Sequence, residues 1–192
     1  MIYGIGRNYL AHAKELGHAP PLEEPIVFFK PEGGIFYSDE TVPLPPFSKL
    51  IHHELEVAYR YDNSLQISEI TISNDLTARD KQREAMDKKL PWSLSKGFKF
   101  SCGLGSWVNS KGIDLQSLEI TLEVNGKLVQ HGFTKNMIFS ISQIDTYLKA
   151  NFPIKSGDIV LTGTPEGVGP VASGDELFAE IKGICSATWR FK

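Results

Sequence analysis

The segment "LEITLEVNGKLVQHGFT", residues 118–134, is the feature that most restricts what this chain can fold into. Apolar and polar residues alternate on both sides of Asn125 and Gly126. That pair favours a tight turn with positive φ at both positions, so the segment predicts a β-hairpin. A second alternating run, "HHELEVAYRY" at residues 52–61, and the apolar runs "MIYGIG" and "IVFFK" predict further strands.

Helical signals are fewer and shorter than the strand signals. "NYLAHAKELG" predicts a helix with Asn8 as its cap and Gly17 at its end, and "SISQIDTYLKANF" predicts one capped by Ser140. "LTARDKQREAMDKK" predicts a third helix that ends before Pro91. Residues 31–46 read as a loop, and the last forty residues read as short strands. We therefore expect one domain, residues 1–192, of the α+β class and dominated by β structure.

Charge and cysteine usage narrow the classes of function. A net charge of -3 gives no general attraction to nucleic acid or anionic membranes. Cys102 and Cys185 lack the paired spacing of a zinc or redox motif, so we expect two reduced thiols. Neither a targeting segment nor a membrane span is predicted, and we expect a cytoplasmic protein.

Three carboxylates are candidates for a metal site. Glu54 and Glu56 alternate along one strand, so their side chains should share a face, and Asp75 ends the predicted strand "TISND". The glutamate pair alone is more typical of a solvated strand face. With Asp75, the set suits a hard cation such as Mg²⁺ or Mn²⁺. His52 and His53 suggest zinc instead, but the oxygen ligands outnumber them.

Two other groups of residues are consistent with catalysis, although each has a structural alternative. His12 and Glu15 lie three residues apart on a predicted helix, so Glu15 is positioned to orient the imidazole, or the two form a surface ion pair. Lys96 is either a functional cation or a solvated lysine. The run "LTGTPEGVGP", residues 161–170, offers backbone amides for an anionic group, or is a connecting turn.

Seven segments in order resemble the fumarylacetoacetate hydrolase family, especially its short single-domain members with acylpyruvate hydrolase or oxaloacetate decarboxylase activity. The segments are "GRNYLAHAKELG", "EPIVFFKP", "HHELE", "NDLTARDKQ", "LPWSLSKGF", "MIFSI" and "LTGTPEGVGP". Each is weak alone, but their joint order is specific and spans nearly the whole chain.

The resemblance implies a mixed β-roll, usually a homodimer, that binds a small 2-oxo acid and a Mg²⁺ or Mn²⁺ ion. It implies three sets of site residues: metal ligands Glu54, Glu56 and Asp75; a catalytic His12–Glu15 dyad on a lid, with Lys96 on the substrate; and substrate contacts from Arg7, Gln82, Gly163 and Thr164. The implied reaction is hydrolysis of a C–C bond in a 3-acylpyruvate or related 1,3-dicarbonyl acid. Oxaloacetate decarboxylation, hydroxydienoate isomerisation and a non-enzymatic metal- or anion-binding module are the alternatives.

One departure from the family pattern lies between Glu56 and Asp75. The chain is shorter there by roughly two to three helical turns. Either a peripheral helix is naturally deleted, or the sequence passes directly over a mobile segment that belongs between Ser68 and Glu69. We favour the second, because a deletion would remove a packing helix and spare every motif around it. It predicts Cα atoms of Ser68 and Glu69 farther apart than the roughly 3.8 Å of one trans peptide.

Overall fold

A computed structural model describes residues 1–15, 17 and 23–192. The described strands, in chain order, are β1 (Ile2–Gly6), β2 (Ile26–Lys30), β3 (Ile35–Tyr37), β4 (Thr41–Val42), β5 (Ile51–His53), β6 (Leu55–Tyr61), β7 (Ile67–Asp75), β8 (Thr77–Ala78), β9 (Cys102–Leu104), β10 (Val108–Asn109), β11 (Glu119–Val124), β12 (Lys127–Phe133), β13 (Ile159–Leu161), β14 (Gly169–Pro170), β15 (Glu176–Ile181) and β16 (Cys185–Phe191). The α-helices are α1 (Leu10–Glu15), α2 (Arg79–Asp87), α3 (Ser93–Lys96) and α4 (Ile141–Asn151). Short 3₁₀ turns occupy Glu32–Gly34 and Thr134–Asn136.

Three sheets form from the described strands and enclose the core. The largest has the order β2-β1-β13-β6-β7-β9-β3, with β10 also paired to β7. The second has the order β12-β11-β15-β16-β4, and the third has the order β14-β5-β8. Parallel and antiparallel pairs both occur, since β1 is parallel to β13 and antiparallel to β2. The expected α+β class with a mixed β-roll is confirmed.

Strand alternation separates the core from the site. Leu55, Val57 and Tyr59 of β6 face the main core, which includes Ile120 of β11 and Ile144 of α4. The opposite face of β6 carries Glu56 and Ala58, and Ala58 belongs to a smaller apolar cluster. Because successive strand side chains point to opposite faces, the same strand supplies core residues and a buried carboxylate.

Two elements that have a characteristic turn or capping residue at one end form where the sequence predicts them. The hairpin forms at Asn125 and Gly126, whose φ values of 51° and 76° are those of a tight hairpin turn. Ser140 caps α4 in a capping box with Gln143, as its sequence predicts. Gly17, with φ of 69°, donates its N–H to Lys14 O.

Several boundaries differ from the sequence prediction. Asn8 does not cap α1, because its side chain bonds Phe139 and the carbonyl of Thr162 instead. The predicted loop 31–46 contains β3 and β4, and the third helix begins at Arg79 because residues 77–78 form β8. Leu16, in the predicted first helix, lies outside the described residues. The acidic strand is interrupted at Glu54, between β5 and β6.

The segment between Glu56 and Asp75 is a continuous hairpin. Ser68 and Glu69 lie within β7, where Glu69 pairs with Arg60 on one side and Asn109 on the other. The turn at residues 62–66 is closed by the Asp62 N–H to Gln66 O bond at 2.9 Å. The two paired strands are thus joined by a short turn with no helix between them, and the interruption between Ser68 and Glu69 stays a prediction.

Cys102 and Cys185 are both free, as predicted. Within the described residues, none of the helices has the length and apolar character needed to cross a membrane.

Candidate active site

The ends of β6 and β7 bring three carboxylates together. Glu54 precedes β6, Glu56 is its second residue, and Asp75 ends β7. The Asp75 N–H donates to Glu54 O at 2.8 Å, and the Glu54 N–H donates to Asn74 Oδ1 at 3.1 Å, which fixes the bend between β5 and β6. Each carboxylate offers an oxygen within 4.8 Å of the others, and all three residues are buried.

Three buried cations surround these acids. Lys96 Nζ donates to Glu54 Oε2 at 2.8 Å, to Thr77 Oγ1 at 2.7 Å, and to Asp75. Arg79 donates to Glu54, and Lys30 Nζ lies 2.7 Å from Asp75 Oδ1. The family resemblance implies that Lys96 contacts the substrate, whereas in the structure its Nζ donates to the carboxylates and to Thr77.

Glu54 and Glu56 differ in how much nearby positive charge offsets their own negative charge. Burial acts to raise the pKa of Glu54, but the charges of Lys96 and Arg79 outweigh it and hold that pKa well below its usual range. For Glu56, burial and the charges of Asp75 and Glu54 raise the pKa well above its usual range, against weaker opposition from Lys96 and the Gly163 amide. Among the described residues, Glu54 and Asp75 each form two ion pairs with lysine or arginine, whereas Glu56 forms none.

This donor set fits a hard divalent cation. Buried carboxylate oxygens that converge at this spacing are the ligands that Mg²⁺ and Mn²⁺ prefer. The undercompensated charge at Glu56 is a second reason, because an added cation would offset it. His52 and His53 lie elsewhere: Arg79 Nε donates to His52 Nδ1 at 3.4 Å, and His53 Nδ1 is 2.9 Å from Gln130 Oε1.

The helix α1 carries the predicted dyad at the wall of the same pocket. His12 Nδ1 lies 3.4 Å from Glu15 Oε2, and the His12 side chain is 5% exposed whereas that of Glu15 is 36% exposed. Burial lowers the pKa of His12, although Glu54 and Glu15 partly oppose that shift. The imidazole is therefore neutral near neutral pH and can accept a proton.

The glycine-rich segment 161–170 binds two carboxylates of this chain through its amides. The Gly163 N–H donates to Glu56 Oε2 at 2.6 Å, and the Gly167 N–H donates to Glu15 at 3.1 and 3.3 Å. Both glycines have positive φ, and a Cβ at Gly167 would lie 2.2 Å from Val129 O. One loop thus contacts both the carboxylates and the dyad.

The pocket joins most of the residues predicted for the site. Its walls include seven of them: Arg7, His12, Glu54, Glu56, Gln82, Lys96 and Thr164. Asp75, Glu15 and Gly163 reach it through their contacts with Lys96, His12 and Glu56. Apolar side chains complete the wall, namely Ile5, Phe28, Met86 and Trp92.

Several contributors were missed from the sequence. Arg79 links Glu54 to Gln82, whose Oε1 accepts a bond from Arg79 Nη1 at 2.5 Å. Gln130 accepts from the Leu55 N–H at 3.0 Å and donates to Thr164 Oγ1 at 2.9 Å, so it ties the carboxylate bend to the glycine-rich loop. Arg79 lies within the motif "NDLTARDKQ", so the sequence could have identified it as a candidate site residue. Gln130, on a hairpin strand, offered none.

Comparisons with known proteins extend over nearly the whole chain. Residues 1–192 match the family described as fumarylacetoacetate (FAA) hydrolase C-terminal. The mitochondrial oxaloacetate tautomerase FAHD1 of Bos taurus is 39% identical, over 97% of this chain and 89% of the relative.

Two solved structures share the fold. Fumarylpyruvate hydrolase from Pseudomonas aeruginosa, in complex with Mn²⁺ and pyruvate, has a TM-score of 0.92 and 28% identity, over 99% of this chain and 88% of that one. The 2-hydroxyhepta-2,4-diene-1,7-dioate isomerase from Mycobacterium marinum has a TM-score of 0.84 and 30% identity, over 99% and 73%. The relatives thus share the fold and differ in the reaction for which they are named.

Proposed function

The chain belongs to the fumarylacetoacetate hydrolase family, and we propose that it is a divalent-cation-dependent enzyme that hydrolyses a C–C bond in 3-acylpyruvates or related 1,3-dicarbonyl acids. The observation that carries the proposal is the meeting of the His12–Glu15 dyad and the buried carboxylates at one pocket. A metal- or anion-binding module would need the carboxylates but not a buried histidine oriented by a glutamate.

Glu54, Glu56 and Asp75 are the proposed ligands of Mg²⁺ or Mn²⁺. When bound, the cation would supply a template and Lewis acid for the carboxylate and keto oxygens of a 2-oxo acid. Support comes from the oxygen donor set and from the relative solved with Mn²⁺ and pyruvate.

His12 is the proposed general base. With Nδ1 directed to Glu15, the other ring nitrogen is free to take a proton from water. The resulting hydroxide attacks the carbonyl of the acyl group, and Glu15 stabilises the imidazolium. The bond between the acyl carbon and C3 of the pyruvate unit then breaks, so its electron pair becomes the pyruvate enolate and the acyl group leaves as a carboxylic acid. Return of the proton from His12 to C3 of the enolate gives pyruvate and restores the neutral imidazole.

Cations and donors on the opposite wall are proposed to stabilise the developing enolate and hold the substrate. Lys96 lines the pocket and is positioned to turn from its carboxylates toward the enolate oxygen. The Arg79 bond to Gln82 Oε1 leaves the Gln82 amide nitrogen available to a substrate oxygen. Arg7 and Thr164, on the remaining wall, are proposed substrate contacts, with Gly163 holding Glu56 behind them.

Oxaloacetate chemistry is the second candidate function. It is favoured by the bovine relative, which is named an oxaloacetate tautomerase. Tautomerisation and decarboxylation of oxaloacetate need enolate stabilisation but no attacking water, so the same carboxylates and Lys96 would serve. Hydroxydienoate isomerisation, for which the Mycobacterium marinum relative is named, is a further variant of proton transfer at this site.

One experiment separates these activities. Acetylpyruvate, fumarylpyruvate and oxaloacetate are supplied side by side with Mg²⁺, and pyruvate, the co-product and the enol absorbance of oxaloacetate are followed. We expect equimolar carboxylic acid and pyruvate from an acylpyruvate, and loss of that activity with a chelator. Turnover of oxaloacetate alone would reject the hydrolase in favour of the second candidate, and full turnover after exhaustive chelation would reject the metal.

A homodimer in the cytoplasm remains our prediction for the assembly. Phe29, Leu90 and Leu94 are about half exposed, and an apolar surface of this kind favours association. Sedimentation equilibrium measures the mass directly, and a monomer at micromolar concentration would contradict the prediction.

A further inference from the structure

Lys30, in the segment "EPIVFFKP", is a fully buried lysine to which neither the sequence analysis nor the proposed mechanism assigns a role. It ends β2, and its side chain is 0% exposed. Its Nζ lies 2.7 Å from Asp75 Oδ1 and donates to the carbonyl oxygens of Leu76, Lys96 and Ser101 at 3.2, 2.5 and 2.8 Å. An ammonium has three N–H groups, and the three carbonyls take them, so Asp75 Oδ1, which accepts no hydrogen bond from the described residues, is held by the charge of Lys30.

We propose that Lys30 is a positioning residue for the metal centre: its charge holds Asp75 Oδ1, so that Asp75 Oδ2, on the side of Lys96 and Glu54, is the oxygen presented to a cation. The proposal rests on the proposed metal site. It differs from the role of Lys96, which contacts Asp75 Oδ2 and also lines the pocket. Lys30 is 0% exposed and lies among three backbone carbonyls and the Asp75 carboxylate.

The same ammonium also fixes the backbone from which Lys96 projects. Leu76 follows Asp75 at the end of β7, Lys96 ends α3, and Ser101 precedes β9. The three residues lie 46, 66 and 71 positions from Lys30 in sequence, and this one side chain holds all of them. A metal ligand and the substrate-facing lysine are thus aligned by one charge that does not enter the pocket.

Ion preference follows from this arrangement. Mg²⁺ and Mn²⁺ suit near-octahedral sites with single carboxylate oxygens, whereas Ca²⁺ takes more ligands and accepts two oxygens from one carboxylate. Because the Lys30 ammonium lies 2.7 Å from Asp75 Oδ1 and repels a second cation there, Asp75 offers one oxygen, which disfavours Ca²⁺. Removal of the ammonium frees the second oxygen.

The test measures binding of Mn²⁺ and of Ca²⁺ to Lys30→Met by calorimetry, with the unfolding temperature recorded in parallel. We expect Mn²⁺ affinity to fall by about 10–100-fold, as for other groups that orient a metal ligand. Ca²⁺ affinity should fall less, so that the Ca²⁺ to Mn²⁺ preference shifts toward Ca²⁺. Lys149→Met is the matched control, because it removes a lysine paired with Asp145 on α4, and it should leave both affinities unchanged.

The outcomes separate this inference from the proposed function. If the unaltered protein fails to bind Mn²⁺, the proposed metal site is wrong. If it binds Mn²⁺ but Lys30→Met has unchanged affinities, or loses both equally together with stability, the positioning role is overturned.

Two further measurements keep the test decisive if Lys30→Met does not fold. Lys30→Gln retains a donor for the carbonyls while removing the charge, and it should show the same shift in ion preference. A crystal structure of the unaltered protein with Mn²⁺ should show Asp75 coordinating through Oδ2 alone, with Lys30 still on Oδ1. Coordination by both oxygens would overturn the proposal.

Discussion

The two halves of the pocket are built in opposite ways. Glu56 and Asp75 lie on the paired strands β6 and β7, and Glu54 lies in the bend directly before β6; all three are at most 4% exposed and are held by buried cations and backbone amides. The dyad lies on a six-residue helix, its two side chains are 3.4 Å apart, and Glu15 is 36% exposed. A helix this short is not stable by itself, so its position depends on its contacts with the rest of the protein.

The difference suggests that the two halves of the pocket serve different steps of the reaction. The sheet fixes the carboxylates before any ligand arrives, which suits groups that must hold a cation or stabilise an enolate. The dyad is held by α1 and by the Gly167 amide, an arrangement typical of a lid that completes a site. Reactions that require activated water should therefore depend on both halves, whereas enolate chemistry alone should depend mainly on the sheet.

The largest expected effect is on the carboxylate half. Glu56→Gln keeps the shape of the side chain but removes a proposed metal ligand, so Mn²⁺ affinity and all activities should fall by about 100-fold or more. Calorimetry and the parallel substrate assay measure both. Glu69→Gln, on the neighbouring strand β7, is the matched control and should retain both. Unchanged Mn²⁺ affinity in Glu56→Gln would remove Glu56 from the ligand set.

The next effect tests the lid half. His12→Ala should lower acylpyruvate hydrolysis by about 10²–10⁴-fold, because it removes the general base. Oxaloacetate decarboxylation should be affected much less. His131→Ala, at an exposed histidine paired with Glu119, is the control for both rates. Equal losses in the two reactions, with folding and metal content unchanged, would contradict the water-activating role.

Lys96→Ala should impair both reactions, by about 10²–10³-fold, since both develop charge on an enolate oxygen. Its metal affinity should be retained, because Lys96 shares Glu54 and Asp75 with the cation rather than supporting it. Rates with acylpyruvate and oxaloacetate, together with Mn²⁺ titration, test this. A loss confined to hydrolysis would assign Lys96 to the lid half instead.

The smallest effect is expected at Glu15. Glu15→Gln retains a group that can accept from the Gly167 amide but removes the charge that stabilises protonated His12, so we expect roughly a 10-fold loss in hydrolysis.

The pH profile sharpens this prediction. Burial lowers the pKa of His12, so the rate of hydrolysis should fall in acid only at pH values below about 6.5, the ordinary pKa of a histidine. The charge of Glu15 raises the pKa of His12. The acid limb of the pH–rate profile should therefore move to lower pH in Glu15→Gln. A limb that does not move would show that Glu15 does not act on His12.

The sequence by itself determined the elements whose causes are local. The turn at Asn125 and Gly126 and the cap at Ser140 follow from residues only a few positions apart, and both form as predicted. The ordered motifs likewise predicted the family and the residues that meet at the pocket. Periodicity identified Glu54 and Glu56 as neighbours, although it did not predict the bend at Glu54.

Only the tertiary structure decided what each site residue contacts. Lys30 reaches Leu76, Lys96 and Ser101 across separations of 46, 66 and 71 residues, and the Gly163 amide reaches Glu56 across 107. Strand pairing sets such contacts, and local periodicity carries no information about which distant strands will pair. The glycine-rich loop therefore read as a site for an external anion, whereas two of its amides bind the chain's own carboxylates, because folding places Glu56 and Glu15 against them.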